Sequence, residues 1–178
     1  MHADNPLYLF RYCPLCGADG FAEHADNARR CPSCGFTYYT NPRGATVAII
    51  RNDLDELLVA TRANDPGRGM LDMVGGFMDL GETAEEAMCR EIREESGLNF
   101  VPSDLRYLCS QANIYPYGGI TLHTVDLFFE IRVQGRPAIQ AQDDVARLQW
   151  IPLSQLRIED FAFKSIRTGL KQYLTTNP

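Results

Sequence analysis

The spacing of hydrophobic positions changes along the chain, and each change marks an element. Ala45-Thr46-Val47-Ala48-Ile49-Ile50 is a near-continuous apolar run. Asn52-Asp53 breaks it and Glu56-Leu57-Leu58-Val59-Ala60-Thr61 resumes it, which predicts a β-hairpin. A glycine turn follows at Gly75-Gly76. From Thr83 the period becomes helical: Ala84, Ala87, Met88 and Ile92 recur at i, i+3, i+4 and i+8, and Gly97 ends the helix. Thr83 with Glu86 three residues later predicts a capping box. Strand-like runs return at 105–111 and 120–133, separated by the turn formers Tyr115-Pro116-Tyr117-Gly118-Gly119. The tail predicts a short helix near 153–156 and a longer one over 161–174. Strands and helices intermixed around one sheet make an α/β or α+β domain.

Ahead of the turn at Asn41-Pro42 the chain carries chemistry of another kind. Cys13-Pro14-Leu15-Cys16-Gly17 and Cys31-Pro32-Ser33-Cys34-Gly35 repeat the pattern C-P-x-C-G. Two thiolates spaced C-x₂-C reach one ion from a tight turn, and two such turns complete a tetrahedral Cys₄ zinc site. Two disulfides of a secreted protein are the alternative. The start Met1-His2-Ala3-Asp4-Asn5-Pro6 has no basic segment followed by an apolar stretch, so zinc is the better reading and a cytoplasmic location is expected. The zinc ribbon is placed at 7–40 and a second domain at 43–178; a fold below about 40 residues ordinarily needs such a metal. Cys89 and Cys109 lie in apolar segments and are expected to be buried, inert thiols.

Charge then redirects attention to the helix. The 178-residue chain has a net charge of −6, which disfavours nucleic-acid and anionic-membrane partners. No apolar run approaches the ~20 residues that span a bilayer. Between Asp79 and Glu95 seven acids face two bases, so nearly the whole imbalance sits in one stretch. Glu91, Glu94 and Glu95, at i, i+3 and i+4, share one side of a helix. Taken alone, such a run is ordinarily a solvated face laced by pairs such as Glu86–Arg90. Clustered carboxylates also suit hard divalent ions, which offset their mutual repulsion.

The longer pattern decides between these readings. Gly76, five residues, Glu82, seven residues, then Arg90-Glu91-Ile92-Arg93-Glu94-Glu95-Ser96-Gly97-Leu98 matches every fixed position of the Nudix box, Gx₅Ex₇REUxEExGU with U aliphatic. The chain resembles the Nudix hydrolases, and Val74, where the family often has Pro, is a local departure. The resemblance implies an α/β/α sandwich with a mixed sheet, preceded here by the small zinc ribbon. It implies hydrolysis of a nucleoside diphosphate linked to a moiety X, with Mg²⁺ or Mn²⁺. Glu91, Glu94, Glu95 and the backbone carbonyl of Gly75 or Gly76 would be the metal ligands, while Arg90 and Glu82 would position the helix and its carboxylates. A helix acid such as Glu94, or an acid from a later loop, would be the general base; Asp143 and Asp144 stand where such a loop acid occurs. A homodimer is implied by the resemblance alone.

A zinc ribbon ahead of a Nudix domain is similar to the NADH pyrophosphatases, which cut NAD(H) into two mononucleotides and carry the signature SQPWPFPxS after the box. Here the corresponding stretch is Ser110-Gln111-Ala112-Asn113-Ile114-Tyr115-Pro116-Tyr117-Gly118, which keeps Ser110, Gln111 and Pro116, with Tyr115 for Phe. Ser110, Gln111, Tyr115 and Tyr117 are the candidate substrate-binding residues, and an NAD(H)-like dinucleotide is the expected substrate. ADP-ribose or another nucleotide sugar, or a nucleotide-binding module without turnover, are the alternatives, and nucleotide-capped RNA stays open. Tyr115 and Tyr117 suit base stacking or loop packing equally. Phe161 and Phe163 are expected in the core, and His24 and His123 are assigned no function.

Overall fold

Three short strands, β1 (Ala22–Ala25), β2 (Ala28–Arg30) and β3 (Thr37–Tyr39), pair antiparallel in that order. They belong to one of two compact units in the computed structural model, which describes residues 5–142 and 145–177. This unit takes the chain up to Arg43 together with Ile114–His123; the other takes Gly44–Asn113 and the chain from Thr124 on. The strand β1 is exposed throughout. Its unit's core is small: Cys13, Phe21 and Cys31, with Ala18 and Phe36 packed against them. So little apolar surface cannot offset the ordering of the chain, and a bound metal is the usual remedy.

The second unit is built on alternation. Its elements are β4 (Arg43–Asn52) from Gly44 on, β5 (Glu56–Arg62), β6 (Leu71–Asp72), α1 (Ala84–Ser96), β7 (Arg106–Tyr117) as far as Asn113, β8 (Ile120–Val133) from Thr124 on, β9 (Val145–Pro152) and α2 (Lys164–Thr176). The sheet order is β6-β5-β4-β8-β7, with β9 pairing β5. Val47, Ile49, Leu57 and Val59 face one side and pack with Phe128, Phe161, Ile166, Leu170 and Tyr173 under α2. Ala48, Ile50 and Leu58 face the other and pack with Met88 and Ile92 of α1. A period of two in the strands therefore feeds two cores, each closed by one amphipathic helix. This is the expected α/β sandwich.

One departure from a simple hairpin creates the site. Beside their turn β4 and β5 pair at Arg51 and Leu57. Further along, Ala60 pairs with Leu148 of β9 on one edge and with Asp72 of β6 on the other. Val74 and Phe77 in turn bridge to Ala48 and Ala45 of β4. The hairpin splays, and residues 71–77 fill the wedge between its arms.

The helix α1 follows its sequence signals closely. Thr83 caps it with the full capping box, and Gly97 closes it at φ 76°, a left-handed conformation that glycine adopts without a Cβ penalty. Two expectations shift. The run from residue 105 extends as strand through Tyr117, leaving Gly118-Gly119 as the turn. The last helix starts at Lys164, because Phe161 is fully buried in the core as the chain approaches it. Among the described residues no helix is long and apolar enough to cross a membrane.

Candidate active site

Glu91 and Glu95 lie one turn apart on the buried side of α1, and Glu94 faces outward between them. Arg90 organises the set. Its Nε donates to Glu82 Oε1 at 2.7 Å and its Nη2 to Glu82 Oε2 at 2.9 Å. Nη1 reaches Glu91 Oε1 at 2.7 Å and Glu94 Oε2 at 3.1 Å, and Nη2 also donates to the Phe77 carbonyl at 3.0 Å. One planar guanidinium thus ties the loop carrying Phe77 and Glu82 to two carboxylates of the helix. The bond to Arg90, aided by the Asp79 backbone N–H, holds the Glu82 carboxyl down at about 2. The same pairing keeps Arg90 cationic well above its ordinary range.

The wedge supplies the opposite wall. Gly75 N–H donates to Glu95 Oε2 at 3.0 Å. A Cβ on Gly75, whose φ is +149°, would lie 2.0 Å from the Thr46 carbonyl oxygen, so only glycine lets the strand approach β4 this closely. A Cβ on Gly76 would lie 2.7 Å from both carboxylate oxygens of Glu91. The absent side chain is the space the carboxylate occupies. The Gly76 carbonyl accepts from Thr46 N–H at 2.8 Å, which commits one of its two lone pairs to the sheet.

Glu82, Glu91, Glu94 and Glu95 against Arg90 leave three negative charges, and the next cation, Arg93, stands 4.0 Å from Glu94 with most of its side chain exposed. An all-oxygen, net-anionic set fits a hard divalent ion, and the Gly76 cradle leaves the Glu91 carboxylate room against the backbone. The glutamates are spread along Arg90 and the Gly75 amide instead of converging on one point. Among the described residues, only the cysteines bring three or more ligand atoms within 4.8 Å of one another. The Glu86–Arg90 pair of a merely solvated helix face does not form: Glu86 accepts from Thr83 N–H and Oγ1, both at 2.9 Å, and Arg90 turns to Glu82.

The remaining candidates fall elsewhere. Ser110 is exposed on β7, while the Gln111 amide donates to Gln172 of α2 at 3.2 Å. Tyr115 and Tyr117 share one face of β7 with ring centroids 6.5 Å apart, in the unit that contains the ribbon. Asp144, the loop acid, lies with Asp143 outside the described residues. Gln142 N–H just before them donates to the Glu95 carbonyl at 3.1 Å. Phe163 carries the Arg62 guanidinium 4.8 Å above its ring, and His24 and His123 are exposed. Cys89 and Cys109 are half-buried, not fully buried, and burial pushes both thiols up, which keeps them unreactive. Neither the Gly75 N–H nor the Phe77 carbonyl follows from the residue pattern of the box. The glycine pair was the available signal, since it marks a close backbone approach.

The cysteines form a second centre. Cys13 and Cys34 Sγ are 3.8 Å apart, and Cys16 and Cys31 Sγ 3.7 Å. A tetrahedron with Zn–S bonds of about 2.3 Å has edges of about 3.8 Å, so the four thiols fit zinc. Each knuckle is closed by a bond from the following glycine to its first cysteine: Gly17 N–H to the Cys13 carbonyl at 2.9 Å and Gly35 N–H to the Cys31 carbonyl at 3.0 Å. The Cys34 backbone N–H, 3.5 Å from Cys31 Sγ, holds that thiol down at about 6.

Comparison with known proteins agrees with this geometry. The model of the NUDIX domain matches residues 40–171. A curated relative named NAD-capped RNA hydrolase NudC, from Stutzerimonas stutzeri, is 27% identical over 146 residues, covering 82% of this chain and 49% of its own length. The chain spans at most about half the length of the curated relatives it matches first, 38% and 49%. A solved NUDIX hydrolase from Nitrosomonas europaea superposes with a TM-score of 0.71 at 22% identity, covering 94% of this chain and 92% of that one. The NUDIX domain of Shewanella oneidensis NrtR, solved with ADP ribose, gives 0.63 at 21%, covering 79% and 91%. Its box folded into a loop and helix around Arg90, the chain belongs to the NUDIX family.

Proposed function

We propose that this chain hydrolyses the pyrophosphate linkage of a nucleoside diphosphate joined to a second moiety, with an NAD(H)-like dinucleotide as substrate and Mg²⁺ or Mn²⁺ as cofactor. The observation that carries the reading is the four-carboxylate set locked by Arg90 against Gly75-Gly76. Glu91, Glu94, Glu95 and the Gly76 carbonyl hold the divalent ions, and Glu82 acts by fixing Arg90. When bound, such ions neutralise the pyrophosphate and activate water for in-line attack at phosphorus. The chain's own part is positional: Arg90 spaces Glu91 from Glu94, and the Gly75 amide orients Glu95. Glu94, the most exposed of the three, is the helix acid best placed to meet solvent, and Asp144 is the loop alternative for the general base.

Ser110, Gln111, Tyr115 and Tyr117 bind substrate, the two tyrosine rings supplying faces on which a base or nicotinamide stacks. Zinc on Cys13, Cys16, Cys31 and Cys34 is structural within the ribbon at 7–40, and the catalytic domain is 43–178. The protein works in the cytoplasm as a homodimer. The relatives' name motivates NAD-linked substrates. Ala112, Asn113 and Ile114, where the NADH pyrophosphatase signature has Pro-Trp-Pro, favour ADP-ribose as the second reading.

The test is chromatographic product analysis with Mg²⁺ over NADH, NAD⁺, ADP-ribose, NAD-capped RNA and nucleoside triphosphates. NADH or NAD⁺ cleaved most efficiently into two mononucleotides supports the first reading, and ADP-ribose cleaved best supports the second. No cleavage across the panel contradicts both and leaves a binding module.

A further inference from the structure

A second polar site lies at the other end of the sheet. The carboxylate site stands against Thr46, near the start of β4, whereas Arg51 near its far end donates to the Asn177 carbonyl at 2.8 Å. Asn177 Oδ1 accepts in turn from Arg106 Nη2 at 3.3 Å. Five strand steps, about 16 Å, separate Thr46 from Arg51. Beside Arg106 opens a groove of about 510 Å³ lined by Asn99, Phe100, Asp104, Arg106, Glu130 and Arg132, within the size range of small-ligand sites.

Its floor is one carboxylate. The Glu130 side chain is 5% exposed, yet Arg106 and Arg132, on adjacent strands, are 58% and 52% exposed. Arg106 grips Glu130 Oε2 through Nε at 2.7 Å and through Nη2; Arg132 Nε reaches Oε1 at 2.6 Å, and the Tyr173 hydroxyl donates to Oε1 at 2.7 Å. Burial pushes the Glu130 carboxyl up, but the Tyr173 hydroxyl and the two guanidiniums outweigh it and hold it below the ordinary range. Every oxygen of the buried acid is therefore spent on holding the two arginines in place. Among the described residues, Arg132 Nη1 and Nη2 and Arg106 Nη1 donate to no protein acceptor. Two guanidiniums fixed side by side with spare donors make an anion clamp suited to phosphate.

We propose that this groove binds a nucleoside monophosphate at a site separate from the carboxylate centre. Arg106 and Arg132 take the phosphate, the half-buried Phe100 ring lies in the wall for the base, and Asn99, whose Nδ2 donates to the Gly97 carbonyl at 3.4 Å, presents its Oδ1 and remaining N–H to the base edge. Asp104 would repel a bare anion, but it supplies the acceptor that ribose hydroxyls need, its Oδ2 already fixed by Val101 N–H at 3.0 Å. The charges ask for a phosphate and a hydroxylated sugar together, which inorganic phosphate alone does not offer.

The test is titration of the zinc-loaded protein with AMP, followed calorimetrically in buffer without added Mg²⁺ or Mn²⁺. AMP should saturate a single site and bind at least tenfold more tightly than inorganic phosphate or adenosine. Arg132→Ala and, separately, Asn99→Glu should each weaken it about tenfold or more. Glu94→Gln, at the other site, should leave it unchanged. Asn99→Glu puts a carboxylate into the groove without touching any partner of Glu130, so it remains informative even where Arg132→Ala lowers the melting temperature. AMP that does not saturate, that binds equally to wild type and Asn99→Glu, or that is lost in Glu94→Gln overturns the proposal.

Discussion

Arg90 and Glu82 meet at two points, Nε to Oε1 at 2.7 Å and Nη2 to Oε2 at 2.9 Å, across eight residues of sequence. That pair turns the loop before α1 into a rigid wall, because a planar fork fixes both distance and orientation. Replacing Arg90 with Lys keeps the charge but not the fork. The expected result is a fall in kcat of about 100-fold or more with the fold retained, since small misplacements of catalytic groups cost that much. Steady-state kinetics alongside circular dichroism checks it.

Acid titrates the same pair. The Glu82 carboxyl is held at about 2 against an ordinary 4.5. A depressed carboxyl contributes stability that is fully present above 4.5 and disappears as pH falls toward 2. Glu82→Gln should therefore be less stable than wild type at pH 7, and the two stabilities should converge between pH 4.5 and pH 2. Denaturant unfolding across that range measures it, and parallel curves would contradict the assignment.

Gly76 tests the fit of the site independently of charge. A methyl group there would sit 2.7 Å from the Glu91 carboxylate. Gly76→Ala should displace Glu91 and abolish most activity while the melting temperature moves little, because the flexible glutamate end gives way. Gly75→Ala should unfold more readily, since its Cβ meets the Thr46 backbone at 2.0 Å and adds strain on the order of 1–3 kcal/mol. Thermal melts of the two variants separate the cases.

A similar contact governs α2. A Cβ on Gly169 would lie 2.5 Å from the Phe128 ring. Gly169→Ala gains helix propensity of about 1 kcal/mol but overpacks a core that resists extra volume by about 1–3 kcal/mol. Net destabilisation is expected, read as a lower melting temperature; a higher one would mean the helix shifts freely.

In the ribbon, Cys13→Ser should release the zinc and melt the N-terminal unit, whose core cluster is Phe21 with the Cys13 and Cys31 thiols. Metal analysis and limited proteolysis at residues 13–39 would report both. Unchanged zinc content would remove Cys13 from the site.

Much of this architecture is legible in the sequence. The limits of α1 follow from Thr83, Glu86 and Gly97, because caps act locally, and the β4–β5 hairpin follows from its apolar runs. The wedge at 71–77 was not legible, since Ala60 finds Asp72 and Leu148 only through tertiary pairing. The strand β9 escaped for a related reason: its half-exposed residues show no clean alternation. Within the site, the Nudix pattern marks Glu82 and Arg90 each as a positioning residue, but their bond to one another is seen only in the fold, and helical spacing alone points Arg90 to Glu86. The Arg106–Glu130–Arg132 clamp is not legible in the sequence, because Arg106 reaches Glu130 from the neighbouring strand, 24 residues away, although Glu130 and Arg132 stand two apart on β8.

The central claim is that the α1 carboxylates hold divalent ions for pyrophosphate cleavage. Its most direct measurement is NADH hydrolysis as a function of Mg²⁺ concentration for wild type and for Glu95→Gln. Expected are no turnover in chelator, saturable activation by Mg²⁺ in the wild type, and a fall of roughly 100-fold or more for Glu95→Gln, as is typical when one group stabilising the transition state is removed. Turnover that persists in chelator, or a Glu95→Gln variant with wild-type activation, would contradict it.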